Sequence, residues 1–129
     1  MLPLISSGSR DAQNGTVMAT GTTHVLDREQ LREVTLEDED LMRQLVAALI
    51  EDTERQMPLL ELAIRGLDGP QCARLAHYCK GACSNVGAQA AAVVLAKMER
   101  SARFGEMDEC DRQLHALATE VDRLRAEEI

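Results

Sequence analysis

One stretch holds the side chains best suited to chemistry: Leu75-Ala76-His77-Tyr78-Cys79-Lys80-Gly81-Ala82-Cys83-Ser84-Asn85-Val86-Gly87-Ala88. Wound as a helix at ~100° per residue, it puts Leu75, Cys79, Ala82, Cys83 and Val86 on one side, with Cys72 a turn earlier. His77 falls on the opposite side, with Lys80, Gly81 and Ser84 three, four and seven residues on and Arg74 one turn before. Solvent faces of helices usually carry long charged side chains. Here an imidazole is flanked by cations and small residues. A glycine inside a helix costs about 1 kcal/mol relative to alanine. Gly81 beside an exposed histidine therefore suggests that something approaches the helix closely there.

Charge supports a reactive face. From Arg65 to Arg103 there are six basic residues (Arg65, Arg74, Lys80, Lys97, Arg100, Arg103) against two acidic ones, Asp68 and Glu99, in a chain of net charge −8. The acidic excess is expected to stay away from the helices around His77. A local positive field of this kind would stabilise a dianionic group attached to the imidazole.

The elements that must position this face read as helices. Apolar residues make up 45% of the 129 residues, with one Tyr, one Phe and no Trp, so the core must come from Leu, Ala, Val, Met and Cys. Residues 1–24, rich in Ser, Thr and Gly and carrying only Arg10 and Asp11 as charges, read as a flexible leader or linker. Residues 25–129 read as one bundle. Asp27 to Glu33 suits a short helix. Thr35 is the expected N-cap of the next, with Glu37 to Asp40 in its first turn and Leu41, Leu45, Leu49, Leu60, Ile64 and Leu67 as its stripe. Pro58 should kink or break it near 54–58. Asp68-Gly69-Pro70 starts a helix that ends at Gly87. The next runs from about Ala88 to Phe104 and buries Ala88, Ala91, Leu95, Met98 and Ala102. Met107, Cys110, Leu114, Leu117, Val121 and Leu124 form the seam of the last. The expected fold is all-α: an antiparallel up-down four-helix bundle with a short additional N-terminal helix.

His77-x-x-Lys80-Gly81, followed by small residues and then Val86-Gly87-Ala88, is similar to the signature of histidine-containing phosphotransfer (HPt) domains. The resemblance runs from about Leu26 to the C-terminus and takes in the acidic helix start, the Pro-interrupted segment and the Leu95…Glu99 stretch. Cys79 stands where the family usually has an aliphatic residue and Cys83 where it has Ser or Ala, both on the buried stripe. The resemblance implies a phosphorelay intermediate without kinase activity. His77 would accept a phosphoryl group from the aspartate of one response-regulator receiver domain, at its outer ring nitrogen, and pass it to another. Lys80 would balance charge on the phosphoryl oxygens, Gly81 would give clearance, and Ser84 would add a polar contact. No cofactor is implied for this chain. Mg²⁺ and an activating lysine belong to the receiver. A free-standing carrier and the C-terminal module of a hybrid sensor kinase both fit.

Other readings compete. A degenerate relative would dock receivers without carrying phosphate. A kinase dimerisation helix pair usually has an acidic residue after its histidine and a proline shortly beyond, whereas Tyr78 and a Pro-free 71–129 stand here. Cys72, Cys79 and Cys83 share a face that His77 cannot join, so a metal site is less apt than core packing. A disulfide would need Cys110 to face the same helix. His24 and His115 read as surface residues. Net negative charge and few aromatics argue against nucleic acid. No apolar run of ~18 residues marks a membrane span, and the absence of a secretion signal points to reduced thiols in the cytoplasm.

Overall fold

The computed structural model describes residues 23–129, so the leader reading falls, but for its last two residues, outside the described part. Five helices follow in order: α1 (Arg28–Val34), α2 (Glu39–Arg65), α3 (Gly69–Val86), α4 (Gln89–Arg103) and α5 (Met107–Ala126). Packing runs α2 to α3, α3 to α4, α4 to α5 and α5 back to α2, with α1 lying against α2 and α3. Short turns join the long helices, so neighbours are antiparallel and the up-down four-helix bundle closes as expected.

Local chemistry fixes most boundaries. Asp68 caps α3, its carboxylate accepting from the Gln71 amide at 3.1 Å. Gly87 ends α3 in the left-handed region at φ 93°. A Cβ there would also sit 2.9 Å from the Asp27 carbonyl, where the chain entering α1 crosses and the Asp27 amide donates to the Gly87 carbonyl at 2.7 Å. Gly69 lies against the last turn of α4, where a Cβ would come within 2.6 Å of the Ala102 carbonyl oxygen. These two glycines let α1 and α4 approach the ends of α3.

Three expectations are corrected. Thr35 does not cap α2. It closes α1, buried, with its hydroxyl donating to the Leu31 carbonyl at 2.7 Å. Leu36 and Glu37 then turn the chain through left-handed conformations, at φ 54° and 63°. Asp38 caps α2 instead, leaving Glu39 and Asp40 in its first turn. Pro58 does not divide α2, which continues from Glu39 to Arg65. A proline removes one donor, and buried Thr53 before it and Leu60, Ala63 and Ile64 after it hold both halves in the core. The stripe of α2 is Met42, Val46, Leu49, Leu60, Ala63 and Ile64, whereas Leu41 and Leu67 are exposed. Leu67 has left the helix, at φ 56°.

The seams of α4 and α5 follow the expected spacing, with Ala88, Ala91, Leu95, Met98 and Ala102 meeting Cys110, Leu117, Val121 and Leu124 in one core. Cys72, Cys79, Cys83 and Cys110 are all buried free thiols. Burial pushes Cys72 and Cys79 up to about 12 and Cys83 to about 11, with neighbouring thiols and acids adding to the first two. Such thiols pack as small apolar groups. Among the described residues, no group of three or more His, Cys, Asp or Glu side chains is placed to hold a metal ion. No helix among them is long and apolar enough to cross a membrane.

Candidate functional site

The buried stripe of α3 (Cys72, Ala76, Cys79, Cys83) turns the opposite face outward. His77 stands there with 67% of its side chain exposed. Its Nδ1 lies 3.0 Å from Oε2 of Glu99, on the neighbouring helix α4. The same carboxylate accepts from Lys80 Nζ at 2.7 Å through Oε1 and from Arg103 at 2.6 Å through Oε2. Only 7% of the Glu99 side chain is exposed.

This geometry settles the ionisation of Glu99. Burial is the largest single influence and pushes its carboxyl up. Hydrogen bonds from Lys80 and His77, with the charges of Lys80 and Arg103, together outweigh it and hold the group below the ordinary carboxylate range. An ionised carboxylate only accepts hydrogen bonds, so the His77 nitrogen facing it carries the proton. In the neutral ring, that leaves the Nε2 lone pair as the free nucleophile.

The sequence reading counts Glu99 as a charge but gives it no role at the site. The stretch keeps its basic excess, and the one carboxylate it brings to this face lies beneath the imidazole, with three basic groups converging on it. The available signals were a carboxylate on the otherwise apolar side of α4 and Arg103 one turn beyond it. Neither reveals the register of α4 against α3, which brings Glu99 to His77 rather than to solvent.

Gly81 is exposed, and a Cβ built on it would meet no atom within 4 Å. Nothing inside the chain requires a glycine there. Ser84 is exposed but lies two turns, about 10 Å of helix rise, beyond His77. It lines a separate depression with Gln30, Gln89 and Val93, and its carbonyl accepts from Gln30 at 2.6 Å. The structure thus joins His77 and Lys80 through Glu99, keeps Gly81 beside them, and sets Ser84 apart. Arg74 is exposed and donates to Gln71. Tyr78 donates to the Asp52 carboxylate on α2 at 3.0 Å. His24 and His115 are exposed away from this network.

An exposed imidazole on the wall of an antiparallel helical bundle, with one nitrogen tied down and a lysine one turn away, defines the class of histidine phosphotransfer domains. The family model for the Hpt domain matches residues 44–127, and the chain belongs to that family. Its members carry phosphoryl groups in phosphorelays, interact with response-regulator receiver domains and are not themselves kinases. Among solved structures the chain is similar to histidine-containing phosphotransfer protein B (HptB) from Pseudomonas aeruginosa PAO1, at 28% identity and a TM-score of 0.72, covering 78% of this chain and 88% of that one. No curated protein matches the chain significantly.

Proposed function

We propose that His77 is the phospho-acceptor of a phosphorelay intermediate. Its Nε2 attacks the phosphorus of a receiver's aspartyl phosphate. The N–P bond forms as the acyl O–P bond breaks, releasing the aspartate carboxylate. The reverse step at a second receiver returns the phosphoryl group to an aspartate. The Mg²⁺ and activating lysine for both steps come from the receiver. The bundle supplies position and charge balance.

The observation that carries this reading is the Glu99–His77 contact. It orients the ring, fixes the proton on Nδ1 and directs the nucleophilic nitrogen outward. Lys80 is placed one turn away to share its ammonium between Glu99 and the phosphoryl oxygens. Gly81 gives the receiver's loops their clearance. Ser84 contacts the receiver at the edge of the footprint. The working unit is residues 25–129, acting in the cytoplasm.

Incubation of the full chain with phosphorylated receivers tests the proposal. The expected product is an acid-labile, base-stable label on the wild type that is absent from His77→Gln of unchanged helicity. Equal labelling of His77→Gln would overturn it. So would a wild type that binds receivers and is never labelled, which would be a docking module without carrier chemistry.

A further inference from the structure

The chain contains one Tyr, one Phe and no Trp. Aromatic side chains bury about 150–250 Å² each and normally dominate a core. This bundle buries neither: Tyr78 is 54% and Phe104 73% exposed. Both stand at the His77 face, on opposite flanks. Tyr78 follows His77 on α3 and leans to α2, where Asp52 holds its hydroxyl. Phe104 follows the last residue of α4 and lines a groove with Lys80, Ala96, Glu99, Arg100 and Arg103, which it thus shares with the residue that holds His77. Arg65, Arg103 and Arg125 each have a carboxylate partner. Among the described residues, Arg100 has none.

We infer that Tyr78 and Phe104, with Arg100 beside the latter, anchor a receiver domain astride His77, an inference that rests on the phosphotransfer reading above. Exposed aromatic and arginine side chains are the types that carry binding energy at protein interfaces. Charge selects the occupant. A receiver delivering an aspartyl phosphate presents negative charge at the point of transfer. A chain of net charge −8 repels such a surface almost everywhere. The stretch from Arg65 to Arg103, with its excess of basic residues, does not. Arg100 meets acidic groups at the rim of the receiver's site, while the two rings take its apolar contacts.

The test compares phosphotransfer kinetics of the full-length wild type with those of Tyr78→Ala, Phe104→Ala and Arg100→Glu, using one phosphorylated receiver. Each substitution is expected to raise KM about ten-fold while the saturating rate stays within about two-fold of wild type. Leu62→Ala, another exposed apolar residue about 15 Å along α2 from Asp52, is expected to change neither. Arg100→Glu decides the matter if truncating a ring lowers the melting temperature. Wild-type KM in Arg100→Glu and Phe104→Ala, with a wild type that transfers normally, overturns this inference alone. A wild type that takes no phosphoryl group from any receiver overturns the function beneath it. A concentration-dependent dimer in the wild type that Phe104→Ala abolishes assigns the ring to a second copy and also overturns it.

Discussion

His77 Nδ1 lies 3.0 Å from Glu99 Oε2, and this one contact joins α3 to α4 and divides the imidazole into two unlike nitrogens. The nitrogen against the carboxylate is a donor and is occupied. The other keeps its lone pair and points away from Glu99. A carboxylate that holds a histidine's second nitrogen fixes the tautomer and the orientation of the ring, as carboxylates do behind metal-bound histidines.

Glu99→Gln keeps the shape and removes the charge. Lys80 and Arg103 then lose their common anion, and the side-chain amide no longer fixes the proton on Nδ1. The transfer rate is expected to fall about ten-fold, read by quench-flow with a phosphorylated receiver, with the helical spectrum retained. Glu99 also sets an acid limb. Its carboxyl is held below the ordinary range when folded, so the unfolded chain binds the proton first. The stability it contributes is present above the ordinary carboxylate pKa of about 4.3 and is lost as pH falls through the folded value. Melting temperatures from pH 7 to 3 are expected to fall less steeply in Glu99→Gln than in the wild type.

Gly81 and Gly87 should respond in opposite ways to the same change. Gly81→Ala meets no atom within 4 Å, so it should gain about 0.5–1 kcal/mol of stability from helix propensity. Its methyl group stands where the receiver must come close, so transfer should slow, and more so in Gly81→Leu. Gly87→Ala meets the Asp27 carbonyl at 2.9 Å and must hold φ 93°. It should lose about 1–3 kcal/mol. Urea titrations alongside transfer rates check both. A Gly81→Ala protein that is no more stable and transfers normally would contradict the account of that glycine.

The thiols predict a protected core and an alkaline limb. Native protein at pH 8 should not react with a thiol reagent, and denatured protein should show four reactive groups, the number of cysteines in the chain. Cys72 and Cys79 have folded values near 12 and Cys83 near 11, against an ordinary 9.0. Above that ordinary value the unfolded chain loses protons that the folded chain keeps. The stabilisation is complete below about pH 9 and is lost as pH rises toward the folded values. Cys79→Ala and Cys83→Ala should each flatten the melting temperature between pH 9 and 11.

Much of this was legible in the sequence because it is local. The Asp68-Gly69-Pro70 start, the Gly87 stop and the seams of α4 and α5 depend on neighbours in the chain, as does the outward face of His77. The errors lie where tertiary packing outweighs local preference. Thr35 offers the right side chain for a cap, but the left-handed turn at Leu36 and Glu37 moves the start of α2 to Glu39. Pro58 costs one hydrogen bond, and core residues on both sides of it outweigh that. Glu99 was visible as a charge but not as a partner of His77, because the residues are 22 apart in sequence and meet only through the register of α4 on α3.

The most direct measurement is the position of the phosphoryl group on the ring. The chain, labelled with ¹⁵N in histidine and phosphorylated by a receiver, should show phosphorus coupled to Nε2 of His77, with Nδ1 still protonated toward Glu99. Phosphorus coupled to Nδ1, or found on His24 or His115, would contradict the account.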